Sequence, residues 1–397
     1  MEERNRAWAE IDLDALKHNL REIKRCIKKD TRMMAVVKAD AYGHGVFEVA
    51  RTAIENGADY LGVAWVCEAV ELRELGINVP IMVLGNSAYS EIEEIVKYDI
   101  TATVSDVGFA EKLSDTAKKL NKTAKIHIKI DTGMSRIGFL SDTEERKKDT
   151  CGKILKISKL SGVEIEGIFS HFASADDEDT DYTYMQYNRF LAVVEELEEM
   201  GLQIPIKHIC NSAAAAKFPE MHLDMVRLGI MMYGLYPSKG FDKRLLDLIP
   251  VMSFKARITA IKELDEGVSL SYGRTYCTEG KSKIATVSVG YADGYPRALS
   301  NFAEVAAGGK RAKQVGRICM DQCMIDVSKV NNINVGDEVT LFGKASENGV
   351  SADCLADALG TINYEIVCNV ARRVPRVYIK DGMVVKSLNY ILREYGM

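Results

Sequence analysis

A lysine closes the first strongly apolar run of the chain, Ala35-Val36-Val37-Lys38, and Ala39-Asp40-Ala41-Tyr42-Gly43-His44-Gly45 follows it. If this run is a strand opening into a barrel mouth, the amine is partly buried, its pKa falls, and the free base can form a Schiff base with a carbonyl carbon. A lysine at a strand end is also a common surface residue, and position alone leaves both readings open. Arg227 stands in a second apolar run, where the plain reading is a salt bridge at a strand end. Tyr272, beside Gly273, reads by itself as a packing or turn residue, and Gly308-Gly309 reads as a hairpin turn. The six histidines (His18, His44, His127, His171, His208, His222) show no HExxH or similar spacing, and Cys319 and Cys323 lack the two-residue gap of a zinc knuckle, so no metal site is expected.

The elements that must position these groups follow a repeating cycle. Strand candidates lie near Met34 to Lys38, Tyr60 to Ala64, Ile81 to Leu84, Ile100 to Val104, Ile126 to Ile130, Ile165 to Ser170, Ile206 to Cys210 and Met225 to Ile230. Helix candidates alternate with them: Val46 to Glu55, Glu68 to Leu75, Glu91 to Tyr98, Phe109 to Leu120, Ile154 to Leu160 and Met185 to Met200. An opening helix from about Asp12 to Lys29 carries Leu13, Leu16, Leu20, Ile23 and Ile27 on one stripe, with Asp12 as N-cap. Eight strands with intervening helices fit a closed (β/α)₈ barrel better than an open doubly wound sheet. In such a barrel, chemistry sits at the C-terminal strand ends.

After about Pro250 the texture changes. Val251 to Leu264, Lys283 to Val289, Cys323 to Val327, Asp337 to Phe342 and Val374 to Ile379 read as strands with few helices between them, the pattern of a mainly antiparallel β domain. The boundary falls between Tyr236 and Pro250, near Pro237, Ser238 and Gly240. This gives a barrel over residues 1–245 and a β domain over 246–397, with the first ten or so residues available to pair with the β domain.

The chain has 397 residues, 47% hydrophobic and 27% charged, which excludes a single small module and a disordered chain. Its net charge of −5 disfavours phosphate backbones and anionic membranes as partners, so neither nucleic acid nor membrane is expected. The first ten residues carry no secretory apolar stretch, no run approaches the ~18 apolar residues of a membrane span, and the nine scattered cysteines suggest no disulfide framework. A cytoplasmic protein is expected.

The run Val36-Val37-Lys38-Ala39-Asp40-Ala41-Tyr42-Gly43-His44-Gly45 resembles the pyridoxal-phosphate attachment motif of the alanine racemases. The resemblance continues in family order through Lys129-Ile130-Asp131-Thr132-Gly133-Met134-Ser135-Arg136-Ile137-Gly138-Phe139, Ser170-His171-Phe172, Asn211-Ser212 and Val226-Arg227-Leu228-Gly229-Ile230. It runs on through Leu270-Ser271-Tyr272-Gly273, Gly290-Tyr291-Ala292-Asp293-Gly294-Tyr295-Pro296-Arg297 and Gly316-Arg317-Ile318-Cys319-Met320-Asp321. The family architecture is a (β/α)₈ barrel followed by a β domain, and the activity it implies is interconversion of L- and D-alanine, which supplies D-alanine for peptidoglycan. Amino-acid decarboxylases of the same fold group bind phosphate with a glycine-rich stretch and usually take an acid cysteine from the second domain; neither is found at matching places. Single-barrel pyridoxal-phosphate carriers lack the β domain.

By this resemblance Lys38 bears the cofactor, and Tyr272 works on the opposite face from the partner subunit of a homodimer, hydrogen-bonded by His171. Two acid/base groups are what racemisation needs, since the α-proton leaves one face of a planar intermediate and returns to the other. Arg227 resembles the arginine facing the pyridine nitrogen; because it only donates, the ring nitrogen stays unprotonated and side reactions such as transamination are disfavoured. Tyr42, Ser212 and Tyr364 with the amides of Gly229 and Ile230 are implied phosphate ligands, and Tyr364 also matches the bulky residue that crowds the pocket of alanine-specific members. Arg136 and the Met320 amide are implied substrate-carboxylate ligands, Arg136 also touching the cofactor's phenolic oxygen. Lys129 stands where many members carry a carbamylated lysine that orients this arginine. Tyr291, Arg297, Arg317 and Asp321 match residues lining substrate access.

Overall fold

A computed structural model describes residues 6–344 and 350–394. The chain enters through strand β1 (Ala7–Asp12), then alternates helices with β2 (Arg32–Val36), β3 (Tyr60–Val63), β4 (Ile81–Val83), β5 (Ala102–Val104), β6 (Ala124–Asp131), β7 (Val163–Phe169), β8 (Ile206–His208) and β9 (Met225–Leu228). Two parallel ladders form, β9-β2-β3-β4 and β5-β6-β7-β8. One seam between them is closed by the Met82–Thr101 bridge. At the other, the Asp224 and Arg227 amides donate to the Lys207 and Cys210 carbonyls, each at 3.0 Å. The eight strands therefore close into the expected barrel.

Parallel strands covered on both faces read as continuous apolar runs, which is why each was legible. The helices supply the outer cover. Leu13–Cys26 buries Leu13, Leu16, Leu20 and Ile23, and the Asp12 carboxylate caps it by accepting the Asp14 and Ala15 amides, both at 2.9 Å. Inside the barrel, Met34, Tyr60, Met82, Phe169, Ile206 and Met225 form one buried cluster. Two fully buried histidines, His127 and His208, share that interior.

The second region is built on β10 (Met252–Leu264), β11 (Ser282–Val287), β12 (Glu304–Ala307), β13 (Lys310–Val315), β14 (Cys323–Asp326), β15 (Glu338–Phe342), β16 (Arg376–Lys380) and β17 (Met383–Leu388). The sheet order is β11-β14-β13-β12-β15-β10-β1-β16-β17, and an added β10–β11 pairing curls its first part into a ring. All pairings are antiparallel except β1 with β16. The N-terminal residues do pair with this sheet: Ala7 faces Ala256 and Glu10 faces Val377. Gly308 and Gly309, both at positive φ, make the turn between β12 and β13 as expected.

Several boundaries differ from the sequence reading. The helix read from Ile154 begins at Glu144, because its first turns, Glu144-Glu145-Arg146-Lys147-Lys148-Asp149, are mostly exposed and carry no apolar stripe. The opening helix ends at Cys26 and not Lys29. Strands β12, β13 and β17 and the short helix Ser212–Lys217 were not read. Among the described residues, no helix is long and apolar enough to cross a membrane.

Candidate active site

The barrel mouth and the helix Asn363–Cys368 enclose a cavity of about 500 Å³. Lys38, Tyr42, Lys129, Arg136, His171, Ser212, Arg227, Gly229, Ile230 and Tyr364 all line it. Lys38 to Ile230, nearly two hundred positions apart, thus converge because they lie at or near the C-terminal ends of barrel strands, and Tyr364 joins them from the helix Asn363–Cys368.

Lys38 is not the last residue of its strand, as the sequence reading had it. β2 ends at Val36, and Ala39, Asp40, Ala41 and Tyr42 all take φ near 53°, a left-handed turn of non-glycine residues. Such residues cost roughly 1–2 kcal/mol each in this conformation, so the turn must be held from outside. Glu68 holds one side, accepting the amides of Ala39 at 2.6 Å, Ala64 at 2.8 Å and Trp65 at 3.1 Å. Asp40 holds the other, accepting the Val46 amide at 2.8 Å and the Tyr390 hydroxyl. Burial first, then the Arg136 charge, lowers the Lys38 pKa, the direction that favours a nucleophilic amine.

At one end of the cavity the donors are hydroxyls. Ser212 Oγ accepts the Gly229 amide at 2.8 Å, so that amide is already engaged and the serine's own hydrogen is directed onward. A Cβ on Gly229 would lie 3.0 Å from the Tyr42 hydroxyl, which explains the glycine. The Tyr42 ring lies 6.1 Å from that of Tyr364, and burial raises both phenol pKa values, keeping them protonated as donors. A dianion fits this end.

At the deep end Arg227 is buried and gives four hydrogen bonds. They go to His208 Nδ1 at 2.8 Å, the Ser170 carbonyl at 2.8 Å, the Ile209 carbonyl at 2.8 Å and His171 Nδ1 at 3.0 Å. Burial lowers its pKa only to about 10, so it remains a cation at neutral pH. His171 is held neutral, first by burial and then by Arg227, leaving its Nε2–H as a donor. Lys129 lies 4.2 Å above the Phe169 ring, and burial first, then Arg227 and Arg136, depresses its pKa well below that of an ordinary amine.

Tyr272, Met320, Tyr291, Arg297, Arg317 and Asp321 line no part of this cavity. Most of them gather on the β region. Ser271 Oγ donates to the Arg317 carbonyl at 2.6 Å. The Tyr291 and Ala292 amides donate to the Cys319 and Met320 carbonyls at 3.0 Å. Asp321 pairs with Arg373 at 2.7 Å. Three apolar or aromatic members face outward, Tyr272 being 72% exposed, Met320 52% and Tyr291 42%. Sequence reasoning missed Glu68, Asp40 with Tyr390, and His208 behind Arg227; of these only His208, a polar residue inside an apolar strand, carried a signal. All nine cysteines are free, and among the described residues no group of His, Cys, Asp or Glu is placed to hold a metal.

A parallel barrel with a lysine, two arginines and a hydroxyl cradle in its mouth, joined to a β domain, is the frame of a barrel enzyme acting on a small anionic ligand. The comparisons name the family. The alanine racemase N-terminal domain matches residues 11–237 and the alanine racemase C-terminal domain residues 251–378. The alanine racemase of Clostridium tetani is 52% identical over 385 residues, 97% of this chain and 98% of that protein. Among solved structures, alanine racemase of Clostridium difficile 630 superposes with a TM-score of 0.92 at 44% identity, covering 97% of this chain and 99% of that one. The Bacillus anthracis alanine racemase with bound L-Ala-P gives 0.91 at 39% identity, covering 98% and 99%. The chain belongs to the alanine racemase family.

Proposed function

We propose that this protein is a cytoplasmic homodimer that interconverts L- and D-alanine with pyridoxal 5'-phosphate, supplying D-alanine for peptidoglycan. The observation that carries the reading is the pairing, within one cavity, of the depressed Lys38 amine with a buried Arg227 that can only donate. The site fits the cofactor: the hydroxyl end matches a phosphate, and the Gly229 position leaves room beside Tyr42 that a side chain would fill. When bound, pyridoxal phosphate supplies an electron-withdrawing ring that acidifies the α-proton of an attached amino acid.

The chain's own residues then divide the work. Tyr42, Ser212, Tyr364 and the Ile230 amide would grip the phosphate, and Gly229, without a side chain, would let it come close to the main chain. Arg227, a donor only, would meet the ring nitrogen without protonating it, which would limit how far negative charge spreads and keep the reaction to proton exchange. Lys38 would hold the cofactor at rest and, once the substrate amine takes its place and frees its own, would exchange the proton on one face. Tyr272 of the partner subunit would do so on the other, oriented by the His171 Nε2–H. That three outward-facing groups, Tyr272, Met320 and Tyr291, gather where the single chain leaves them uncovered supports a second copy meeting this mouth. Arg136, at the rim, and the Met320 amide orient the substrate carboxylate. Tyr291, Arg297, Arg317 and Asp321 line its access, and Tyr364 limits side-chain size. A neutral Lys129 is the form that adds carbon dioxide, and its carbamate would set an anion beside Arg136 and Arg227.

Purified protein is expected to absorb as a lysine-bound pyridoxal chromophore and to form D-alanine from L-alanine. Borohydride treatment should fix the label on the peptide containing Lys38. Label on a different peptide, or no D-alanine from protein loaded with pyridoxal phosphate, contradicts the reading.

A further inference from the structure

The Arg227 cation gives all four of its hydrogen bonds to neutral acceptors. Its counter-charge lies further on, across the barrel interior. Arginine has no acceptor, so the His208 Nδ1 it meets must be bare and the proton of that neutral ring must sit on Nε2. His208 Nε2 lies 2.8 Å from His127 Nδ1, so His127 in turn accepts there and carries its own proton on Nε2. That nitrogen lies 3.2 Å from Glu166 Oε2, an acceptor. Every donor in the row points the same way, from Arg227 through two neutral imidazoles to a carboxylate.

The backbone is adapted to this row. Between β6 and β7 the register passes from Ile126 opposite Ile165 to His127 opposite Gly167, leaving Glu166 as the extra residue of a β-bulge. A bulge re-aims a side chain, and here the carboxylate reaches the ring of His127. Gly167 makes the space for that ring: a Cβ there would stand 2.4 Å from His127 Nδ1 and Cε1. Phe169 stacks on His208 with rings 4.8 Å apart and 2° from parallel, and packs edgewise on His127. Burial lowers both histidine pKa values, consistent with neutral rings. The Lys125 ammonium, 3.5 Å from Glu166, and the Tyr60 hydroxyl complete the carboxylate's surroundings.

We infer that Glu166 is a positioning residue for racemisation, which acts through His127 and His208 to fix the tautomer of both rings and hold Arg227 aimed at the cofactor site. The inference rests on the proposed role of Arg227 facing the ring nitrogen. Without an acceptor at position 166 the His127 proton loses its partner and can move to Nδ1, where it opposes the His208 Nε2–H. One of the two rings must then turn or change tautomer, and Arg227 loses its alignment.

The test is ¹⁵N NMR of histidine-labelled protein, recorded before and after loading with pyridoxal phosphate. Wild type is expected to show His127 and His208 as neutral Nε2–H tautomers that do not titrate near neutral pH. Glu166→Leu should shift the ring nitrogens of His208, which Glu166 does not touch, and lower racemisation roughly 10-fold or more, the range seen when an outer partner of a functional group is lost. Glu166→Gln keeps an acceptor and should keep both tautomers. Nδ1–H or titrating rings in wild type overturn the inference. So does a His208 signal unmoved in Glu166→Leu, or one moved as far in Glu166→Gln. If Glu166→Leu does not fold, the wild-type and Glu166→Gln spectra still decide. The tautomers are read in unloaded protein as well, so their failure is distinguishable from failure of the cofactor assignment.

Discussion

Tyr272→Phe is expected to lower racemisation by roughly 10²-fold or more, the effect of removing a general acid/base, while leaving cofactor absorbance nearly unchanged. The two halves of that result follow from where the residue lies. Tyr272 is 72% exposed and lines no part of the cavity of its own chain, so its loss removes no cofactor contact there. The phenylalanine keeps the ring and removes only the hydroxyl, so a fall in rate reports the missing proton transfer. In primary isotope measurements with α-deuterated substrates, the proposed Tyr272 face should be the L-alanine face, and deuterated L-alanine should show the larger effect in the variant. Near-normal rates from both enantiomers would remove Tyr272 from the reaction.

Arg227→Glu is expected to change the kind of reaction as well as its rate. A carboxylate facing the pyridine nitrogen can accept a hydrogen bond, so the ring takes a proton and draws negative charge deeper. A new long-wavelength absorption band with alanine and a raised ratio of transamination to racemisation should appear. The substitution also replaces a buried donor by a buried anion, leaving the Ser170 and Ile209 carbonyls and two histidine nitrogens without their donor. Breaking such a buried arrangement costs on the order of 3–5 kcal/mol, equivalent to a rate loss of 10²-fold or more if it falls on the transition state. Normal racemisation with no new band would mean that the ring nitrogen is tuned by another group.

Lys38 and Arg227 stood out because each lies at or near the end of an apolar run, Arg136 was placed by the family resemblance alone, and the barrel was legible because its strands are buried on both faces and so read as apolar runs. The exact exit of the first strand was not. Ala39 to Tyr42 adopt a left-handed turn without a single glycine, so local propensity gives no hint, and the groups that hold the turn, Glu68 and Tyr390, are distant in sequence. The row from Arg227 to Glu166 was hidden for a related reason. It is assembled from four strands and depends on a bulge, which no periodicity in a single segment encodes. Strand β13, Lys310-Arg311-Ala312-Lys313-Gln314-Val315, escaped notice because half of its side chains face solvent and are charged, although its Gly308-Gly309 turn was plain. The six residues on the β region were found only through the family resemblance, since nothing in a single chain shows that an exposed tyrosine serves a cavity elsewhere.

The central claim is that each active site is completed by Tyr272 of the partner subunit, and mixing two inactive variants tests it most directly. Lys38→Ala lacks the cofactor-bearing amine and Tyr272→Phe the second acid/base, yet a heterodimer of the two holds one site with both residues intact. With random subunit exchange about half the dimers are mixed, so up to about a quarter of wild-type activity should return. Exchange verified by native mass spectrometry with no return of activity would contradict the account, placing both residues in one chain or removing Tyr272 from the chemistry.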